Sequence, residues 1–166
     1  MKAILARRSI RRYTSEGIED KVIHGLLEAA MAAPSAGDER PWEFIVLRDR
    51  AALDAIPAIH PYAQMAKEAP VAIVICGDLK RQKYQGFWVQ DCSAATENLL
   101  LAVADAGLGA VWCGIYPLEE RVEAFRRLLA TPKNIVPFAL VPIGHPAEEK
   151  APARRYDAAR VHQDKW

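Results

Sequence analysis

Four arginines and a serine lie close together near the start of the chain, in the basic segment 7–12 (RRSIRR). Guanidinium groups bind phosphate oxygens through two parallel hydrogen bonds, and a serine hydroxyl adds a further donor. The segment therefore predicts an anion site, with a merely solvated basic stretch as the alternative. Nucleic acid is a third interpretation, which a formal net charge of only +1 argues against.

A second candidate is the bend at residues 34–41 (PSAGDERP), which is followed by Trp42. Small side chains allow the backbone to approach a flat ligand closely. An ordinary loop between a helix and a strand is the simpler interpretation of the same residues.

The third candidate is the segment 107–117 (GLGAVWCGIYP). Its glycine pair follows a predicted helix and precedes a predicted strand, which is the reverse of a dinucleotide-binding fingerprint.

Cys113 lies in an apolar strand, which favours a buried thiol over a nucleophile. The four histidines show no metal-ligand spacing, so no metal site is predicted. An enzyme with this sequence would depend on a bound cofactor for its chemistry.

Helices and strands alternate along the chain, which predicts an α/β or α+β layered domain with a four-stranded sheet. The longest helix, 87–106, is apolar almost all round, so we expect both of its faces to be covered. The predicted helices are 18–33, 51–59, 87–106 and 118–130, and the predicted strands are 42–47, 71–76, 110–115 and 137–143. The polar tail after Gly144 is expected to fray or to pack on a partner.

The composition is that of an ordinary globular protein, with 166 residues, 51% hydrophobic and 26% charged. No apolar run approaches the ~18 residues of a membrane span, and the N-terminus lacks a signal-peptide pattern. Three dispersed cysteines fit a reducing compartment. We therefore expect a cytoplasmic protein with no membrane and no nucleic-acid partner.

Four segments together resemble the signatures of the FMN-dependent nitroreductase family, in the order and spacing of that family. They are RRSIRRY at 7–13, APSAGDERPWEFIVL at 33–47, QDCSAATENLLLAVADAGLGAVWCGIYP at 90–117 and VPIGHPAEEKAPARRY at 141–156. The resemblance implies an α+β three-layer sandwich, with a mixed and mostly antiparallel sheet between helices. It also implies an intertwined homodimer with FMN at the subunit interfaces. Residues 1–144 would form the FMN-binding domain, and residues 145–166 an arm that packs on the partner subunit.

The resemblance also assigns cofactor-binding residues. Those near the flavin's phosphate and pyrimidine edge would be Arg7, Arg8, Ser9 and Arg11, completed by Arg155 or its neighbour Arg154. Those that line the ring from the partner subunit would be Pro34, Ser35 and Ala36, with Asp38 nearby. The backbone of Cys113 and Gly114 would face the nitrogen that accepts hydride.

Two residues depart from the family pattern. Asp38 stands where the family has Asn, and Arg40 where it has Gln. An ionised Asp38 cannot donate a hydrogen bond to the flavin as Asn can, and Arg40 could pair with it.

The activity implied is hydride transfer from NADH or NADPH to a nitroaromatic, quinone or flavin-type acceptor by a ping-pong mechanism. The alternatives are a flavin-binding or sensing protein without turnover, and a flavin-destroying or dehalogenating branch of the same scaffold.

Overall fold

The computed structural model describes residues 2–151 and 153–166, and its centre is a five-stranded sheet. Strands β2 (Val71–Asp78) and β5 (Ile135–Gly144) pair antiparallel along their whole lengths and are almost continuously buried. Strands that are buried on both faces need cover on both sides, which helices provide. The predicted α+β sandwich is confirmed.

The remaining strands extend this central pair on either side. Strand β1 (Trp42–Leu47) has the predicted bounds and pairs with β2. On the other side, β3 (Gly109–Ala110) and β4 (Cys113–Gly114) both pair with β5. These pairs are antiparallel, and one parallel bridge joins Ser9 to Ala110.

The prediction of one strand over 110–115 was wrong, because the structure has the two short strands β3 and β4 there. Ala110 pairs with Ile143 and Cys113 pairs with Leu140, so β3 and β4 have the same register against β5. The interruption at residues 111–112 is therefore a local loss of ladder hydrogen bonds rather than a bulge.

Five helices surround the sheet, and all but the first lie where periodicity predicts them. They are α1 (Lys2–Ala6), α2 (Asp20–Met31), α3 (Arg50–Ile59), α4 (Trp88–Asp105) and α5 (Glu119–Leu129). Helix α4 packs against α2, whereas α3 packs against α5. No helix in the described parts of the chain is long and apolar enough to cross a bilayer.

Helix α4 is covered on one face only within this chain. Cys92, Leu99 and Val103 are buried on that face. The opposite face, which carries Ala94 and Leu101, is half-exposed. Cover on both faces, which the sequence predicts, would need a second molecule.

The C-terminal tail has two parts. Residues 145–151 lie against the N-terminal segment, where Tyr13 forms a bridge with Pro146. Residues 153–166 are exposed throughout. Pro152, which belongs to the fourth signature, and Met1, the first residue of the predicted domain, lie outside the described residues.

Candidate functional site

Segment 145–151 holds the basic segment in place through main-chain and side-chain hydrogen bonds. The N–H of Ala147 donates to the carbonyl of Arg12 at 2.9 Å. The Lys150 ammonium donates to the carbonyl of Ser9 at 2.6 Å. The structure thus brings the first and fourth signatures together, although most of the chain separates them in sequence.

Arg8 has the features of an anion ligand. Its Nε donates to the carbonyl of Ala151 at 2.8 Å, but its Nη2 is buried without a hydrogen-bond partner among the described residues. A buried donor without an acceptor is costly, so this atom fits a ligand that brings oxygen atoms. Neighbouring Arg7 has its Nε 3.5 Å from a carboxylate oxygen of Glu97 on α4.

A pocket of about 510 Å³ lies beside strand β4. Its lining includes Arg11, His60, Tyr62, Trp112, Cys113 and Arg121, and no carboxylate is among the lining residues. Two guanidiniums beside aromatic and apolar walls suit a flat, anionic aromatic ligand.

The carbonyl of Gly114 accepts hydrogen bonds from two side chains that the sequence did not single out. His60 Nε2 lies 3.0 Å from this oxygen and Arg121 Nη1 lies 3.1 Å from it. Burial lowers the pKa of His60, despite its hydrogen bond to Gly114, so the ring is neutral and donates from Nε2. Nothing in the local sequence marks His60, because its contact with Gly114 spans 54 positions. Arg121 lies only 7 positions from Gly114, but no sequence motif marks it.

Cys113 is a buried, unreactive thiol. Its side chain is 5% exposed, and burial raises its pKa to about 11 even though Arg11 and Arg121 lie nearby. A thiol with such a pKa has almost no thiolate at neutral pH. The expectation of a structural rather than nucleophilic cysteine agrees with this environment.

The bend contains a short turn at Ala36–Asp38 that exposes a salt bridge. Arg40 Nε and Nη2 donate to the two carboxylate oxygens of Asp38 at 2.6 and 2.8 Å. This hydrogen bonding lowers the pKa of Asp38. The predicted pairing of Asp38 with Arg40 is confirmed.

Hydrogen bonds to α4 and within the bend hold the bend in place. The N–H of Ala36 donates to Asp91 on α4 at 2.9 Å, and the Ser35 hydroxyl oxygen accepts from the N–H of Arg40 at 3.0 Å. Pro34 is exposed, whereas Ser35 and Ala36 are half-buried. The bend is therefore a fixed surface rather than a loose loop.

Within one chain the predicted site residues fall into three groups, which are the basic segment with strand β4, the bend, and the arginines of the tail. The basic segment and the strand at Cys113–Gly114 adjoin, because Arg11 lines the pocket beside β4. No hydrogen bond or ion pair among residues 2–151 and 153–166 joins the bend to the basic segment. Arg154 and Arg155 are exposed on the tail, and no hydrogen bond or ion pair among the described residues involves their side chains.

A family model described as the nitroreductase family matches residues 4–63 and 58–145. A protein of Methanothermobacter thermautotrophicus, provisionally named NADH dehydrogenase/NAD(P)H nitroreductase, is 51% identical over 100% of this chain and 87% of its own.

Solved structures are similar to this chain as well. A Parabacteroides distasonis protein with the same provisional name superposes with a TM-score of 0.96 at 43% identity, covering 99% of this chain and 97% of its own. An FMN-dependent nitroreductase from Clostridium difficile superposes with a TM-score of 0.92 at 29% identity, covering 100% of both chains.

Proposed function

The chain belongs to the nitroreductase family, and from that membership we propose that it moves hydride from NADH or NADPH to a nitroaromatic, quinone or flavin-type acceptor. It is an FMN-dependent NAD(P)H oxidoreductase. The observation that carries the proposal is the pocket beside Cys113 and Gly114, which has two guanidiniums and no carboxylate in its lining.

The residues present fit FMN. Arg8 offers a buried donor that lacks an acceptor, which a phosphate would supply. Arg11 lines the pocket with aromatic side chains, which suits the polar edge of a flat ring. Arg7, Ser9 and either Arg154 or Arg155 are the further ligands we assign to the phosphate end.

The protein's own contribution is position and charge. FMN, when bound, supplies the hydride chemistry that the chain's residues lack. The clamp of His60 and Arg121 on the Gly114 carbonyl holds the backbone beside the pocket in one orientation. The charge of Arg11 favours electron-rich ligands in the pocket. We propose that the oxidised nucleotide leaves before the acceptor enters the same pocket.

A second copy of the chain would complete the site. No hydrogen bond or ion pair of the described chain joins the bend to the basic segment, and the outer face of α4 is half-exposed. The tail at 153–166 carries Tyr156 and Trp166 fully in solvent. We propose a homodimer in which Pro34, Ser35, Ala36 and Asp38 reach the partner's flavin. The first part of the predicted arm, 145–151, lies against its own chain, so we propose that the exposed part, 153–166, extends over the partner.

The decisive experiment is anaerobic visible spectroscopy of the purified protein, reconstituted with FMN where necessary. We expect a yellow protein that bleaches with NADH or NADPH and recovers its colour when a quinone or nitroaromatic is added. A colourless protein that cannot take up FMN would contradict the proposal. A yellow protein that neither nucleotide bleaches would instead indicate flavin binding without turnover, and product analysis would reveal flavin destruction or dehalogenation.

A further inference from the structure

Most arginines of this protein are neutralised, but those in the site pocket are not. Eight arginines of the described chain have a carboxylate oxygen within 4.0 Å. Arg11 and Arg121 have no such partner among the described residues, and both line the pocket beside β4. Two uncompensated charges in one cavity attract anions and repel cations.

Arg121 is held in place without losing its charge. Its Nη1 donates to the carbonyl of Gly114 at 3.1 Å, and its guanidinium lies 5.6 Å from the centre of the Tyr62 ring. A carbonyl oxygen and an aromatic face orient a guanidinium but do not neutralise it. Its remaining donors are therefore preorganised for a ligand.

Arg121 lies at the rim of the pocket. Together with Pro61 it also lines an adjoining cleft between α3 and α5. Glu119 and Glu120 line that cleft, but neither carboxylate lies within 4.0 Å of an Arg121 nitrogen among the described ion pairs. Tyr62, which the guanidinium overlies, is 75% exposed. A molecule that enters the pocket from solvent meets this charge.

The neighbouring histidine adds no charge at neutral pH. His60 is buried and donates from Nε2 to the carbonyl of Gly114. It therefore orients the backbone and contributes no positive charge to the pocket. Among the described residues that line the pocket, Arg11 and Arg121 are the ones that carry a positive charge. Arg11 is a proposed ligand of the cofactor. Arg121 is therefore the remaining positive charge available to an electron acceptor that enters the pocket.

We propose that Arg121 is a specificity-determining residue, which makes this pocket prefer electron acceptors that carry a carboxylate or another oxyanion. This inference rests on the proposed oxidoreductase function, because it names the class of acceptor that the same site takes. The recognition is a charge-assisted hydrogen bond from the guanidinium to the acceptor's anionic group.

The test compares two acceptors of nearly equal shape, 4-nitrobenzoate and its neutral analogue 4-nitrobenzamide. The FMN-loaded protein is titrated with each probe without nucleotide, which gives a Kd from the change in flavin absorbance. Steady-state kcat/KM is then measured with NADH or NADPH. We expect the wild type to favour the carboxylate in both measurements, and R121Q to reduce that preference by about fivefold.

Two further variants separate charge from structure. R121K keeps the positive charge, so it should retain most of the preference for the carboxylate. R127Q removes an exposed arginine from the same helix and should leave the preference unchanged. The thermal unfolding midpoint and FMN content of each variant show whether the site is intact.

The outcomes distinguish this inference from the proposed function. A wild type that reduces both probes without preference overturns the inference and leaves the oxidoreductase function standing, as does an R121Q variant that changes both probes equally. A wild type that neither retains FMN nor oxidises NADH or NADPH contradicts the proposed function itself.

Discussion

Glu39, in the bend at residues 34–41, and Asp91 of α4 are both buried, and each carboxyl group shifts the pKa of the other. The N–H groups of Lys83 and Tyr84 donate to Glu39 at 2.6 and 3.1 Å. Burial favours the protonated form of Glu39, but these hydrogen bonds outweigh it and lower its pKa. Burial raises the pKa of Asp91, and the neighbouring Glu39 adds to this. Asp91 is therefore the carboxyl group of the pair that keeps its proton to higher pH.

The raised pKa of Asp91 predicts a specific pH dependence of stability. Because the pKa of Asp91 is raised on folding, its stabilising contribution is complete below the unfolded value of about 4 and is lost as pH rises through the folded value. D91N presents an amide donor at all pH values and escapes this loss. We expect the free energy of unfolding of D91N, relative to the wild type, to increase as pH rises from 4 to 8.

Urea unfolding at several pH values checks this prediction. D105N, which changes an exposed aspartate at the end of the same helix, is the matched control and should follow the wild type. D91A leaves Glu39 and the N–H of Ala36 without their partner and should lose about 2–3 kcal/mol at neutral pH. Parallel pH profiles of D91N and the wild type would show that folding does not raise the pKa of Asp91.

The buried donor of Arg8 predicts discrimination between FMN and riboflavin, which differ by the phosphate. R8Q should weaken FMN binding about tenfold and leave riboflavin binding nearly unchanged, since only the phosphate offers charged acceptors. Fluorescence titration of both flavins measures the ratio of the two Kd values. R12Q, in the same basic segment but directed at Glu68, is the control. Equal losses for both flavins would place the phosphate elsewhere.

The Asp38–Arg40 salt bridge predicts that the family's usual residue improves cofactor binding. Asn tolerates the positive φ of 55° at position 38 and can donate to the flavin, whereas an ionised Asp cannot. D38N should lower the Kd of FMN about fivefold. R40Q alone should raise it, because the carboxylate of Asp38 then lacks its partner. An unchanged Kd in D38N would mean that this side chain does not face the cofactor.

The environment of Cys113 predicts an unreactive thiol in an active enzyme. Iodoacetamide at pH 8 should label none of Cys76, Cys92 and Cys113 in the native protein, because all are buried and burial raises each pKa. Mass spectrometry of native and denatured samples checks this. C113A should keep the FMN and at least half of the turnover rate, since the buried thiol has almost no thiolate at neutral pH. Rapid native labelling at Cys113 would argue for a chemical role.

The sequence by itself determined the local elements and the family. Strand β1 occupies Trp42–Leu47 as predicted, because an apolar run between breakers depends only on neighbouring residues. The Asp38–Arg40 pair, two residues apart in a turn, was predictable for the same reason.

Tertiary structure alone decided which distant side chains meet. His60 and Gly114 lie far apart in sequence, as do Glu39 and Asp91, and nothing in the residues around them signals that they meet. The division of 110–115 into β3 and β4 likewise depends on pairing with β5. Hydrophobic periodicity specifies which face of an element is buried. Only the packing of several elements decides how deeply a titratable group is buried, which shifts its pKa. The same packing decides whether a guanidinium has a carboxylate beside it.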